Sequence, residues 1–258
     1  MIKLLVNKEE IAFETTIFPD GTSQVWKIAQ NLFDDDDIEI LWLFENEAEV
    51  FHVCQLAQLT QTMSGQEDST LICPYLPYGR QDKDISNKAS FALSTFVEIL
   101  YTVNICRIET FDAHSYQQGT GIYSKKPNRF HAETFKHDAV CFPDKGAAER
   151  YKNSFPNVPV LFCEKIRDQL TGNILGLKVI CDTPFNNKSI LIVDDICDGG
   201  MTFIKVAEAL QRFTPKQIDL AVSHGLFSKG KQVLHDAGIT NIFTTNSLLR
   251  NPEGFKVW

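Results

Sequence analysis

The chain lacks the features that would cross-link it, anchor it in a membrane or draw it to nucleic acid. Its cysteines, Cys54, Cys73, Cys106, Cys141, Cys163, Cys181 and Cys197, form no Cys-x-x-Cys pair. An odd, scattered set, several of them in apolar strand patterns, excludes a disulfide framework and a structural zinc site. No apolar run approaches the roughly 18 residues of a membrane helix. Met1-Ile-Lys-Leu-Leu-Val-Asn7 is too short for a signal peptide. Positive charge is scarce as well: 25 Lys and Arg against 33 Asp and Glu give a net charge of −8. A nucleic-acid surface would want clustered Lys and Arg. The expectation is a soluble, cytoplasmic protein without nucleic-acid or membrane partners, meeting any phosphorylated ligand through local cations.

What is present is ordinary globular material, 43% apolar and 22% charged over 258 residues, enough for one large core or two modest ones. Short apolar runs at 3–6, 11–16, 38–44, 70–74 and 105–109 read as strands, with helical periodicity at 48–63 and 89–101. A segment rich in Gly, Gln, Ser, Lys and Asn from 116 to 131 reads as a linker or mobile loop. The alternation then resumes, with strands at 139–142, 160–163, 189–193, 218–222 and 241–244 and helices at 147–153, 201–213 and 230–237. The pattern predicts an α/β chain of two comparable halves, 1–125 and 126–258. Asp34-Asp-Asp-Asp37 reads as a solvated turn.

One stretch carries chemistry. In Lys188-Ser-Ile-Leu-Ile-Val-Asp-Asp-Ile-Cys-Asp-Gly-Gly-Met-Thr202 an apolar strand ends in two acids and passes through a glycine turn into an amphipathic helix. Asp194 and Asp195 fall at the carboxyl end of the strand, where open α/β sheets bind ligands. Gly199 and Gly200 let backbone N–H groups turn inward, Thr202 adds a hydroxyl, and the helix start adds partial positive charge, together a phosphate cradle. Carboxylates beside such a cradle repel phosphate and suit sugar hydroxyls or a metal instead. The pattern describes a site for a ribose 5-phosphate; the bland alternative is a strand–loop–helix corner with a solvated acidic turn.

That segment resembles the phosphoribosyl-binding loop of the phosphoribosyltransferase fold. Leu71-Ile-Cys-Pro-Tyr-Leu-Pro-Tyr-Gly-Arg-Gln-Asp-Lys83 resembles the Tyr-x-x-Arg-Gln-Asp signature of the ribose-phosphate diphosphokinases. The likeness runs from about Phe18 to Ser247. It implies an α/β fold of two tandem phosphoribosyltransferase-like three-layer domains with mostly parallel sheets, the first on the nucleotide side, the second carrying the ribose-phosphate loop and a catalytic flap. It implies Mg²⁺-dependent transfer of the diphosphoryl group of ATP to the anomeric hydroxyl of a ribose 5-phosphate-type acceptor, in a homo-oligomer, at least a dimer.

The same resemblance assigns residues. Arg80 and Gln81 match the adenosine contacts, and Phe18-Pro-Asp-Gly-Thr22 matches a loop that reaches ATP from a neighbouring subunit, giving Phe18 and Asp20 to the nucleotide. His114, in Phe111-Asp-Ala-His-Ser115, and Asp144, in Phe142-Pro-Asp-Lys-Gly-Ala-Ala-Glu-Arg150, match metal-associated positions. Lys165 and Arg167, in Phe162-Cys-Glu-Lys-Ile-Arg-Asp168, match the Lys-x-Arg at the root of the flap. Asp194, Asp195, Asp198, Gly199, Gly200, Met201 and Thr202 match the ribose-phosphate site.

The chain also departs from the family. Asp198-Gly-Gly-Met-Thr202 stands where Asp-Thr-x-Gly-Thr is common, Thr22 replaces an acid, and the helix expected after the first strand has no room. A larger 5-substituted ribose such as ADP-ribose therefore stays open as acceptor. A phosphoribosyltransferase is disfavoured by Arg80-Gln81 and Lys165-x-Arg167, and a non-catalytic regulatory homologue by the retention of Lys165, Arg167, His114 and Asp144. Gly225-Leu-Phe-Ser-Lys-Gly-Lys231 has the spacing of a phosphate-binding P-loop, but Gln232 replaces its Ser or Thr.

Overall fold

The computed structural model describes residues 1–84, 88–115, 120–125, 136–167, 174–181, 185–249 and 251–257, with side chains for all of these except 165–167 and 174–176. The chain divides into two compact units, Met1–Lys126 and Pro127–Trp258.

The first unit contains β1 (Ile2–Val6), β2 (Glu9–Ile11), β3 (Glu14–Ile17), β4 (Ser23–Trp26), β5 (Ile38–Trp42), α1 (Glu49–Ser64), β6 (Ser69–Ile72), α2 (Ala92–Thr102), β7 (Ile105–Phe111) and β8 (Ile122–Lys125). Its main sheet has the order β2-β1-β5-β6-β7-β8, parallel from β5 to β8 and antiparallel at β1 and β2. Asn7 and Lys8, both at positive φ (53° and 69°), make the two-residue turn that sends β1 back as β2. This is the hairpin geometry whose twist matches the strands. Leu4, Ile40, Trp42, Leu71 and Ile108 from the sheet pack with Val53, Leu56 and Ala57 of α1 and Phe96 and Leu100 of α2 in one core. Trp42, fully buried, keeps its indole N–H satisfied by donating to Glu49 Oε2 at 2.9 Å. Helix α1 ends at Gly65, whose φ of 79° is the left-handed cap that glycine adopts without strain.

The expected strand at 11–16 is two strands in different sheets. Ile11 pairs with Leu4 in the main sheet, whereas Glu14 pairs with Trp26 in a separate β3–β4 hairpin. The change of sheet breaks the strand at Ala12-Phe13, and local pattern carries no mark of it. Of the segment expected as a linker, 116–119 and 126–131 lie outside the described residues, and β8 occupies 122–125 as a parallel neighbour of β7.

The second unit contains β9 (Ala139–Phe142), α3 (Lys145–Tyr151) with a 3₁₀ turn (Lys152–Ser154), β10 (Val160–Arg167), β11 (Ile174–Cys181), β12 (Ser189–Cys197), α4 (Met201–Gln211), β13 (Gln217–Gly225), α5 (Gln232–Asp236), β14 (Asn241–Thr244) and β15 (Lys256–Val257). Its sheet has the order β11-β10-β9-β12-β13-β14-β15, parallel throughout except for β11 against β10. Strand alternation splits β12 between two cores: Ile190 and Ile192 join Phe203, Val206 and Leu210 of α4, while Leu191 and Val193 join Ala147 and Tyr151 of α3. Burial on both faces explains the unbroken apolar run of β12. Strand β11 escapes sequence reading because Gly176 and Lys178 interrupt its apolar pattern; its pairing with β10 makes it a strand.

Candidate active site

In the second unit the acid–glycine segment folds as strand, turn and helix. β12 extends to Cys197, so Asp194 and Asp195 lie in its second half instead of beyond its end at Val193. Their carboxylates share one cation. Arg150 Nη2 donates to Asp194 Oδ1 at 2.7 Å and to Asp195 Oδ1 at 2.9 Å, while the Asp195 N–H donates to Asp194 Oδ1 at 2.9 Å. Burial pushes the Asp194 carboxyl well above the usual carboxylate range, the Asp195 charge adds to this, and the Arg150 guanidinium pulls it back. Arg150 is in turn set by Asp144, whose side chain caps α3 by accepting from Ala147 N at 2.9 Å. One short helix thus starts at the expected metal-associated acid and ends at the arginine on the acid pair.

The turn that follows is built for close backbone approach. Gly200 caps α4 with φ of 77°, and a Cβ there would lie 2.9 Å from Leu234 Cδ2. Glycine is required twice over, by backbone conformation and by space. Gly199 has no such backbone demand. The Asp198 carboxylate accepts from Ser228 Oγ at 2.6 Å. Met201 is 51% exposed and Thr202 is exposed at the first turn of the eleven-residue α4, whose leading N–H groups lack helical partners. His224, on neighbouring β13, is buried with its Nδ1 2.8 Å from Ser247 Oγ, a structural role at the strand end. Lys165 and Arg167 lie in β10, which extends through Arg167 with a register shift between Ile166 and Arg167. Their side chains fall outside the described residues.

In the first unit the expected nucleotide and metal loops meet at the carboxyl ends of β6 and β7. Arg80 and Gln81 are exposed in a turn held by Gln81 N donating to Tyr78 O at 2.8 Å. Ser115 Oγ, beside His114, donates to the carboxylate of Asp82. Phe111 N donates to Pro74 O at 3.0 Å, Asp112 N to Lys125 O at 2.8 Å and Ala113 N to Ser124 Oγ at 2.9 Å, so the His114 loop is fixed to β8 as well. Phe18 to Thr22 form the tip of the β3–β4 hairpin. Phe18 N donates to Thr22 O at 2.8 Å, and Asp20 Oδ1 accepts from both N and Oγ1 of Thr22, at 3.0 and 2.7 Å. These bonds pull the Asp20 carboxyl below its ordinary range.

A phosphoribosyl transferase domain profile matches residues 164–257, which spans the acid–glycine turn. The chain is 25% identical to a ribose-phosphate pyrophosphokinase of Saccharolobus solfataricus across 94% of its own length and 87% of that protein's. It is 28% identical to one of Pyrococcus abyssi across 72% and 67%. Over most of its length the chain is similar to ribose-phosphate pyrophosphokinases, and its second unit carries the phosphoribosyl transferase domain match. A phosphoribosylpyrophosphate synthetase from Mycobacterium smegmatis has the same fold, with a TM-score of 0.81 over 97% of this chain and 86% of that one at 22% identity.

Among the described residues no group of three or more His, Cys, Asp or Glu side chains could hold a metal ion by itself. Mg²⁺ usually takes one or two carboxylates and completes its shell with substrate phosphates and water, so a cation carried in with a nucleotide would need no such group. Of the two expected metal-associated residues, Asp144 in the second unit offers oxygen, the donor a hard cation prefers, and His114 in the first unit offers nitrogen. None of the described helices is long and apolar enough to cross a membrane. Arg150 is the site residue to which the sequence pattern alone gives no role. The signal for it is that two adjacent buried acids need a cation.

Proposed function

We propose that this protein transfers the diphosphoryl group of ATP to the anomeric C1 hydroxyl of ribose 5-phosphate, yielding 5-phosphoribosyl 1-diphosphate and AMP. The arrangement that carries this reading is the β12–α4 turn: a carboxylate pair gripped by Arg150 at one end and a glycine-lined helix start at the other. The carboxylates suit the vicinal hydroxyls of ribose and the helix start suits its 5-phosphate. The names of the relatives support the same reaction.

In that reaction the C1 hydroxyl oxygen bonds to the β-phosphorus, the bond from the β-phosphorus to its bridging oxygen breaks, and AMP leaves with that oxygen. The hydroxyl proton passes to solvent, since no side chain among the described residues is placed as an obvious base. Catalysis is then mostly positioning and charge neutralisation. Arg80 and Gln81 hold the adenosine, with Phe18 and Asp20 contributing from a second copy of the chain in a homo-oligomer. Lys165 and Arg167 neutralise the transferring phosphates. His114 in the first unit and Asp144 in the second are the residues that would bind Mg²⁺, which would supply screening of the phosphate charge. The first unit would serve the nucleotide, the second the sugar phosphate, and the setting would be the cytoplasm.

Gly199 and the exposed Met201 support a second reading of the acceptor alone, in which a larger 5-substituted ribose such as ADP-ribose takes the place of ribose 5-phosphate. The test is AMP release from ATP and Mg²⁺ over a panel of 5-substituted riboses. Acceptor-dependent AMP is expected; ADP as the nucleotide product with every acceptor would refute diphosphoryl transfer.

A further inference from the structure

The ribose-phosphate turn is overlaid by a second loop, between β13 and α5, that the proposed reaction has not used. The loop is held at several points. Leu226 N and Phe227 N both donate to Cys197 O, at 2.9 and 3.3 Å, and Ser228 Oγ donates to Asp198 Oδ1 at 2.6 Å. Gly230 N closes a turn onto Phe227 O at 2.7 Å, and the buried Phe227 ring stacks on Phe255 with centroids 4.5 Å apart. Lys229 sits in the middle of this pinned loop.

The stem of Lys229 crosses Gly199. A Cβ built on Gly199 would lie 3.5 Å from Lys229 Cδ and Cε and 3.6 Å from Cγ. Atoms of a longer side chain at 199 would therefore contend with the lysine for the same space, whereas glycine leaves the stem flat on the turn. Among the described residues, no hydrogen bond or ion pair engages the Lys229 ammonium. Its neighbour Lys231 is different: its ammonium donates to Glu253 O at 2.9 Å and lies 5.7 Å from the Phe255 ring centre.

Charge at the site asks for such a cation. Arg150 is engaged by Asp194 and Asp195, and Asp198 adds a further negative group at the phosphate end. Against these, the start of α4 offers only about half a positive charge, and Thr202 only a neutral hydroxyl. A phosphate dianion brought beside Asp198 needs a full cation within reach, and an ammonium on an anchored stem supplies one.

We propose that Lys229 binds the 5-phosphate of the acceptor across Gly199, making a phosphorylated C5 a condition of recognition. This rests on the reading of the β12–α4 turn as a ribose-phosphate site. The phosphate recognised is the acceptor's and not one of ATP's.

The test uses the full chain as wild type, Lys229→Met and Lys229→Arg. Calorimetric titration with ribose 5-phosphate and with ribose is run beside steady-state kinetics and thermal melting. In Lys229→Met the Kd for ribose 5-phosphate should rise about tenfold, the scale of one lost hydrogen bond between charged groups. The ATP KM and the Tm should stay at wild-type values, and Lys229→Arg should recover most of the affinity. An unchanged Kd in Lys229→Met overturns the proposal while leaving the ribose-phosphate reading intact. A rise confined to the ATP KM also overturns it and gives the lysine to the nucleotide. Wild type that binds ribose and ribose 5-phosphate equally, or neither, removes the ribose-phosphate reading and this proposal together.

Discussion

Arg150, in the last turn of α3, reaches Asp195 on β12 with a 2.9 Å hydrogen bond between residues 45 positions apart in the chain. The same nitrogen binds Asp194, so one guanidinium opposes the rise that burial and the Asp195 charge impose on the Asp194 carboxyl at the sugar end of the proposed site. Without it, burial and mutual repulsion would favour a proton on one of the two acids.

Replacing this cation should therefore be visible in pH dependence as well as in stability. Arg150→Met is expected to cost about 3 kcal/mol, the scale for removing one partner of a buried ion pair. The Asp194 carboxyl already lies above its ordinary range and should rise further once Arg150 no longer opposes the rise. If the ionised pair binds the acceptor, kcat/KM is expected to fall as pH falls through that range, and the acidic limb of its profile should move to higher pH in the variant. An unshifted limb in a folded, active variant would separate Arg150 from the ionisation of the pair.

Asp194→Asn should abolish or cripple turnover without lowering the Tm at neutral pH. A carboxyl with a raised folded-state pKa opposes folding once pH exceeds its unfolded value, because folding must then hold a charge it disfavours. The amide keeps an acceptor for Arg150 and removes the repulsion from Asp195. A Tm drop of many degrees at pH 7 would show that the charge at 194 stabilises the fold.

The two adjacent glycines should respond differently. Gly200→Ala forces a Cβ at positive φ and into Leu234, at a cost of about 1–3 kcal/mol. Gly199→Ala meets Lys229 only at ordinary van der Waals distance and should melt near wild type. Thermal melts of the two variants check the contrast. Met201→Gly, which restores one glycine of the commoner loop and leaves the Lys229 stem undisturbed over Gly199, is expected to favour ribose 5-phosphate over bulkier acceptors in direct competition. An unchanged ratio would move acceptor choice elsewhere in the chain.

Lys165→Ala should lower kcat at least about a hundredfold, the scale for losing one preorganised electrostatic donor, with little change in Tm. Wild-type kcat in that variant would take Lys165 out of the mechanism.

Far from the proposed chemistry, Asp219 provides a test of stability alone. Burial raises its carboxyl, but hydrogen bonds from His137, Gln217 and Asn241 outweigh this and hold it below the ordinary range. A depressed acid contributes stability above its unfolded pKa and loses it as pH falls through the folded value. Asp219→Asn should thus cost about 1–3 kcal/mol near neutrality, and the difference should shrink in acid. Denaturant melts at pH 7 and near pH 3 compare the two.

The β12–α4 turn is legible in the sequence because all of its information is consecutive: an apolar run, two acids, two glycines and a helical period. Parallel strands β9, β12 and β14 and helix α1 are legible for the same reason, since a buried element writes its period into its own residues. The β3–β4 hairpin is not, because the move from one sheet to another depends on which partner each strand finds. Nor is the grip of Arg150 on its two acids, the bond from Ser115 to Asp82, or the path of Lys229 over Gly199. These join residues 30 or more positions apart, at least where hydrogen bonds make the join. Which side chains meet across such distances is settled by strand order and by the packing of helices on the sheet, and local periodicity holds no record of either.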